Sequence, residues 1–164
     1  MMLTLPLFRR SRCLGAALVC TAVLVGPEAC KTVTAPAAPA AEYLKSNIPH
    51  APFSAAVRVG DVLYLSGQIG TLADGTLPAA FNEQARQTMS NIGAVLQQAR
   101  LGFDDVFKCT VMLSDMSRWE DFNKIYVTYF KADRLPARSA IGASGLARGA
   151  LLEVECLARA RPPA

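Results

Sequence analysis

The stretch LLEVECLA, residues 151–158, alternates in a way that decides how the rest of the chain folds. In a β-strand successive side chains point to opposite faces, so one face carries Leu152, Val154, Cys156 and Ala158. The other face carries Leu151, Glu153, Glu155 and Leu157. The first face is small or apolar throughout, which predicts packing against helices, whereas the second places two carboxylates among apolar residues.

Hydrophobic periodicity on either side of this strand predicts the element order ββ-α-β-α-ββ. Period-two alternation favours strands, and apolar residues spaced three or four apart favour helices. The predicted strands are Ala55–Val59, Val62–Gln68, Asp104–Leu113, Ala137–Ala143 and Leu151–Ala158. One predicted helix runs from Ala79 to Arg100 and ends at Gly102. Its apolar stripe consists of Phe81, Ala85, Met89, Ile92, Leu96 and Ala99. The second helix begins at a capping box formed by Ser117 and Glu120, and its predicted buried stripe consists of Trp119, Phe122, Tyr126 and Tyr129. We expect an α+β fold with one sheet and two helices on one face.

The second face of such a sheet is either wetted or buried against a partner. We assign to it Leu63, Leu65, Leu151 and Leu157, a large apolar area to leave in water. Burial in an oligomer is therefore expected, with the two carboxylates at or near an interface.

Residues 1–30 have the pattern of an export leader. MMLTLPLFRRSR is basic, and the uncharged run Cys13–Gly26 is short for a bilayer-spanning helix. PEAC, residues 27–30, resembles a bacterial lipoprotein cleavage site that would lipidate Cys30 and anchor the protein to a membrane, although Pro27 and Glu28 are atypical there. Ordinary signal cleavage, twin-arginine export at Arg9 and Arg10, or a misassigned start that leaves the protein cytoplasmic are the alternatives.

These features predict three segments. Residues 1–30 form the leader, residues 31–41 an Ala/Pro-rich linker, and residues 42–164 the folded domain. The expected location is the periplasm, either free or as a membrane-anchored lipoprotein.

The charge distribution argues against nucleic acid as a partner. Four basic residues and one acidic residue lie in 1–40, which leaves thirteen basic and twelve acidic residues in 41–164, a net charge of +1. A nearly neutral domain without a basic stripe binds nucleic acid poorly.

Cys109 and Cys156 are the only cysteines outside the leader. Both lie within predicted strands, so we expect buried free thiols, with a Cys109–Cys156 disulfide as the alternative in an exported protein. The chain has a single His and no CxxC pair, so no metal site is predicted.

Arg138 lies in RLPARSAIGAS, residues 134–144, at the opening of a run of small and apolar residues. Together with LYLSGQIG (63–70) and LLEVECLA (151–158), this segment resembles the Rid family, the reactive intermediate deaminases also known as YjgF-like proteins. The resemblance extends over about residues 46–160. It implies a chorismate-mutase-like fold and a homotrimer in which three sheets form a central barrel with a cleft at each subunit interface.

The resemblance also implies a reaction, the hydrolysis of 2-imino and enamine acids such as 2-aminoacrylate to 2-oxo acids and ammonia without a cofactor. Arg138 matches the family's substrate arginine, because a planar guanidinium pairs with a carboxylate through two charge-assisted hydrogen bonds. Glu153 matches the glutamate that positions the attacking water. Ser66 and Asn123 match a serine and an asparagine of the cleft.

Two positions depart from the family pattern. Phe53 stands where many members have a tyrosine, which keeps a ring wall but removes a hydroxyl. Ala140 stands where Cys or Thr is common, and only its backbone N–H remains to contact a substrate. These departures leave open a non-catalytic trimer that binds small carboxylates through the same arginine. Endoribonuclease activity, a label that the family often carries, is disfavoured by the neutral charge and the missing acid–base pair.

Overall fold

The structure is a computed structural model that describes residues 40–160. Its strands are β1 (Ala41–Leu44), β2 (Ala56–Val59), β3 (Val62–Leu65), β4 (Val106–Leu113), β5 (Ala137–Gly142) and β6 (Leu152–Arg159). Its α-helices are α1 (Phe81–Gln98) and α2 (Trp119–Tyr126). In this part of the chain no helix has the length and hydropathy that crossing a membrane requires. The predicted leader lies outside the described residues, as does all but the end of the predicted linker.

The six strands form one mixed sheet in the order β1-β2-β3-β6-β4-β5. Only β4 and β5 pair in parallel, and the other neighbours are antiparallel. The predicted α+β fold, one sheet with two helices on one face, is confirmed. The helix after β4 returns the chain to the sheet, which is why β5 runs parallel to β4.

The core lies between the sheet and the helices. The predicted inward face of the last strand is buried as expected, with Leu152, Val154 and Ala158 fully inaccessible. The predicted stripe of α1, Phe81, Ala85, Met89, Ile92, Leu96 and Ala99, is buried as well. Two polar residues of α1, Gln84 and Thr88, are also buried, and Gln84 Oε1 accepts a hydrogen bond from Leu151 N at 2.9 Å, just before β6.

Three of the four leucines assigned to the second sheet face lie in the core or against it instead. Leu63 and Leu65 are 0% and 6% exposed and belong to the core. Leu63 pairs with Ala158 on the core face of β6, and Leu65, two residues later, points the same way. Leu151 is partly buried against the same core. By the strand register, the larger apolar residues on the second face are Tyr43, Val57, Val59, Val62, Tyr64, Met112, Ile141 and Leu157.

The cysteines form a disulfide, so the expectation of free thiols was wrong. Cys109 on β4 and Cys156 on β6 are direct partners in the antiparallel register, with Cα atoms 4.1 Å apart. Such a short separation brings the two sulfurs together on the core face, where both residues are buried. The sequence pattern placed each cysteine in a strand but gave no register between them.

The residues predicted to cap the start of α2 and to end α1 were both wrong. Asp115, rather than Ser117, caps the turn before α2, because its carboxylate accepts hydrogen bonds from the backbone N–H and the hydroxyl of Ser117. After α1 the left-handed residue is Arg100, with φ of 60°, and not Gly102.

Candidate functional site

Arg138 lies on the helix side of the sheet. It pairs with Cys109 in the β4–β5 register, and the two residues therefore share a face. Its Nη2 donates a hydrogen bond to Asn123 Oδ1 at 2.7 Å. The guanidinium carbon lies 4.3 Å from the ring centroid of Trp119 and 4.6 Å from that of Tyr126.

One nitrogen of this guanidinium is left without a partner. Nη1 of Arg138 is buried and makes no hydrogen bond with the described residues. An unpaired buried donor costs free energy, and a charged donor more than a neutral one. The arginine therefore retains the capacity to bind an anion.

Tyr126 forms the inner wall beside this arginine. It is 2% exposed, and burial raises the pKa of its hydroxyl to about 12, although the nearby Arg138 charge opposes the shift. The ring is therefore neutral at physiological pH and presents a permanent π face to the guanidinium.

Glu153 lies on the opposite side of the sheet. It pairs with Met112 in the β4–β6 register and is partly buried. Its carboxylate rests against Gly67, where an added Cβ would overlap Oε1 and lie 2.9 Å from Cδ. The absence of a side chain at Gly67 is therefore what allows Glu153 to occupy this position.

Ser66 fixes the segment that leads to Gly67. Its hydroxyl donates to the Ser54 carbonyl at 2.7 Å, which leaves the hydroxyl oxygen available as an acceptor. The side chain of Gln68 donates to the carbonyls of Ser66 and Gly67 at 3.0 and 3.2 Å. Phe53, next to Ser54, is half-exposed.

The remaining predicted contacts are placed as follows. Ala140 pairs with Val111, faces the helices and packs against the core. Glu155 pairs with Thr110, on the same face as Glu153, and is exposed.

The predicted site residues thus form two groups on opposite faces of the sheet. The arginine half-site consists of Arg138, Asn123, Trp119 and Tyr126, and the glutamate half-site consists of Glu153, Gly67 and Ser66. The strands β6 and β5 are separated by β4, so they lie about 10 Å apart. The side chains of Arg138 and Glu153 also point to opposite faces of the sheet. One chain alone does not bring Arg138 and Glu153 into one cleft.

Sequence reasoning missed the role of the two rings. Trp119 and Tyr126 were predicted only as part of the buried stripe of the second helix. Their spacing from Asn123, four residues after Trp119 and three before Tyr126, puts all three on one helical face. That spacing was the available signal, but nothing in the sequence said that Arg138 would lie across this face.

Comparisons with known proteins place the chain in a sequence family. A family model described as Endoribonuclease L-PSP matches residues 44–160. The mouse protein named 2-iminobutanoate/2-iminopropanoate deaminase is 41% identical over 109 residues, 65% of this chain and 80% of the mouse protein. A RutC family protein from Aquifex aeolicus is 36% identical over 116 residues, 70% of this chain and 93% of that protein.

Solved structures share the fold. YyfA from Yersinia pestis, described as a member of the conserved Rid protein family, superimposes with a TM-score of 0.67 at 36% identity, covering 73% of this chain and 99% of that one. The YjgF protein of E. coli gives a TM-score of 0.64 at 28% identity, with 73% and 94% coverage. On the matched length, the sequence motifs and the shared fold, the chain belongs to the Rid (YjgF-like) family, whose members include imine deaminases.

Proposed function

We propose that this protein is a hydrolytic deaminase of small 2-imino acids and of the enamine acids, such as 2-aminoacrylate, that tautomerise to them. The reaction adds water to the C=N bond and yields a 2-oxo acid and ammonia. The observation that carries the proposal is Arg138, which is fixed by three neighbours yet keeps one buried nitrogen without a partner. The relatives named imine deaminases support it.

Arg138 is assigned the substrate carboxylate. A guanidinium binds a carboxylate through two parallel charge-assisted hydrogen bonds, which fixes orientation as well as position. Asn123 Oδ1 accepts the hydrogen bond that Nη2 of this arginine donates. We therefore assign Asn123 to holding the arginine, whereas its sequence position alone suggested contact with the substrate.

Glu153 is assigned the water. Its carboxylate accepts one proton as the water oxygen attacks the imine carbon and gives that proton to nitrogen, which forms a carbinolamine. The same carboxylate then takes the remaining hydroxyl proton and passes it to nitrogen as the C=O bond forms, the C–N bond breaks and ammonia leaves. Ser66 supplies an acceptor beside it, and Phe53 supplies an apolar wall.

The two half-sites require an assembly. Because they face opposite ways in one chain, we propose that the arginine half-site of one subunit meets the glutamate half-site of its neighbour. A homotrimer built on the apolar second face of the sheet gives each subunit both neighbours it needs.

The family model's description names an endoribonuclease. The net charge of +1 over residues 41–164 and the single His of the chain disfavour RNA as a substrate.

The test is ammonia release from 2-iminopropionate generated in situ, comparing wild type with Arg138→Ala, Glu153→Gln and Glu155→Gln. Loss of a paired buried charge should cost roughly 3–5 kcal/mol, so Arg138→Ala should lower kcat/KM by about 10²–10³-fold or more. Glu153→Gln should lower kcat more than it raises KM. Glu155→Gln, which removes the same charge from the next position on that face of β6, is the matched control and should behave as wild type.

Equal rates for wild type and Arg138→Ala, with the same assembly in both, would refute the proposal. Binding of 2-oxo acids by a wild type that releases no ammonia would instead identify a non-catalytic carboxylate receptor.

We further propose that the chain is exported, in keeping with the leader pattern of residues 1–30. The Cys109–Cys156 disulfide supports this location, because disulfides persist in oxidising compartments. Mass spectrometry of the protein from its native host should find a mature N-terminus at or near Cys30, with a lipid mass if that cysteine is anchored. An intact Met1 in the cytosolic fraction would contradict export.

A further inference from the structure

The helix α2 presents three side chains to Arg138 from one face. Trp119, Asn123 and Tyr126 are separated by four and then three residues, so they lie above one another over two helical turns. Arg138 lies across this face, hydrogen-bonded at its centre and flanked by a ring at each end.

Both rings are close enough to matter energetically. A guanidinium within about 6 Å of an aromatic centroid is attracted by the π face, and Trp is the strongest partner. The two distances here, 4.3 and 4.6 Å, lie inside that limit. Tyr126 is fully buried, whereas Trp119 is only partly buried, so Trp119 is the outer ring of the pair.

The arginine depends on these contacts for its orientation. Its strand, β5, is at the edge of the sheet and pairs only with β4. A long arginine side chain on an edge strand loses considerable rotamer entropy when it is fixed. Within residues 40–160, Asn123 is its one hydrogen-bond partner, and a single bond to Nη2 leaves the guanidinium plane free to rotate about that contact.

We propose that Trp119 and Tyr126 are positioning residues for Arg138, an aromatic clamp that sets the plane of the guanidinium so that Nη1 is held ready for a carboxylate. This inference rests on the proposed function in one respect only, the assignment of Arg138 to the carboxylate. Because the clamp acts through the arginine, it governs the affinity for the carboxylate and leaves the hydrolytic step to the glutamate half-site.

Equilibrium binding tests the clamp without any turnover. Calorimetry with 2-oxopropanoate, the product of 2-iminopropionate hydrolysis, should show Trp119→Leu binding about five- to thirtyfold more weakly than wild type, the range expected for losing one such contact. Trp119→Phe keeps a ring and should recover most of the affinity. Tyr129→Leu is the matched control, because Tyr129 is an aromatic residue just after α2 whose ring packs against Phe103 at an interplanar angle of 52°.

A double-mutant cycle separates positioning from a general structural effect. If Trp119 acts through Arg138, adding Trp119→Leu to Arg138→Ala should weaken binding no further. In the deaminase assay Trp119→Leu should raise KM by a similar factor and change kcat little. Additive losses in the double variant, or equal affinity of wild type and Trp119→Leu, would overturn the inference.

The outcomes distinguish this inference from the proposed function. The wild type could bind 2-oxopropanoate but release no ammonia, with the double-mutant cycle in affinity still non-additive. That result would refute the deaminase proposal and support the clamp. Normal ammonia release by the wild type, together with equal affinity of wild type and Trp119→Leu, would support the deaminase proposal and refute the clamp.

Trp119 also provides a second measurement should Trp119→Leu fail to assemble. It is the only tryptophan of the chain, so its emission reports on this site alone. Adding 2-oxopropanoate to the unmodified protein should change that emission, and Arg138→Ala should abolish the change. Emission that does not respond in wild type while calorimetry shows binding would overturn the clamp.

Discussion

Gly67 shows how a single residue without a side chain positions a functional group. The carboxylate of Glu153 occupies the volume that a Cβ at residue 67 would fill. The segments LYLSGQIG and LLEVECLA, through the family resemblance that they carry, predicted Ser66 and Glu153 individually. The contact between Gly67 and Glu153 needed the three-dimensional structure, because it joins two segments more than eighty residues apart.

Gly67→Ala should therefore displace the carboxylate and spare the fold. The overlapping atom is the mobile end of a glutamate side chain, which turns away at lower cost than a backbone atom. We expect kcat for imine hydrolysis to fall by about tenfold or more, since moving a catalytic group by ~1 Å costs up to about 10² in rate. The control is Gly102→Ala, where an added Cβ meets no atom within 4 Å. Unchanged kcat in Gly67→Ala would show that Glu153 is not held for catalysis by this contact.

Tyr126 gives a pH-dependent signature of its burial. Burial raises its pKa to about 12, whereas an unfolded tyrosine ionises near pH ~10. The folded state therefore holds the proton longer, and the resulting stability is fully present below pH ~10 and is lost as pH rises towards about 12.

Chemical unfolding across this range should show wild type losing more stability than Tyr126→Phe. The difference should reach up to about 2–3 kcal/mol, since one pKa unit is worth ~1.4 kcal/mol. Parallel pH curves for the two proteins would contradict the raised pKa.

At the scale of the elements, periodicity was a good guide where an element is amphipathic. The long stripe of α1 and the alternation of β6 were predicted because each buries one face and exposes the other. The strand β1 (Ala41–Leu44) was missed because it is a short edge strand with mostly exposed residues, so its sequence carries no alternation. The end of α1 was misplaced because Arg100 adopts a left-handed conformation that the sequence pattern assigns to glycine.

The disulfide between β4 and β6 should make a large contribution to stability. It links residues 47 apart in sequence, and constraining an unfolded chain over such a loop is worth about 4 kcal/mol in the chain-entropy model. Unfolding by urea should occur at clearly lower concentration in the presence of dithiothreitol than in its absence. A Cys109→Ala, Cys156→Ala double variant should be insensitive to the reductant. Identical midpoints for oxidised and reduced wild type would rule out a stabilising role.

At the scale of the whole molecule, the proposed assembly depends on the second face of the sheet. The sequence predicted an apolar face bearing two carboxylates, and the carboxylates were placed correctly. The apolar residues were partly misassigned, because the register of β3 decides which leucines face the core. That register cannot be read from the sequence. The resemblance to a family supplied the trimer, and the single chain of the structure leaves that expectation as a proposal.

Leu157→Lys tests the assembly. Leu157 pairs with Tyr64 and Lys108 on the second face and is only partly buried in one chain. An unpaired charge there should cost several kcal/mol if the face is covered by a neighbour. Light scattering should give about three times the monomer mass for wild type and a lower mass for the variant. Val127→Lys, an exposed apolar position just after α2, is the control, and a wild-type monomer would refute the trimer.

The placement of Arg138 and Glu153 on opposite faces has a genetic consequence. Two inactive variants, one carrying Arg138→Ala and the other Glu153→Gln, should complement each other and restore activity when they are co-expressed. If each cleft draws its arginine from one subunit and its glutamate from the next, random mixing leaves about one cleft in four with both residues intact. Co-expressed variants should therefore recover about a quarter of the wild-type specific activity, whereas the two purified homotrimers mixed without exchange should stay inactive. No recovery in verified mixed trimers would mean that both residues act within one chain or that they serve separate sites.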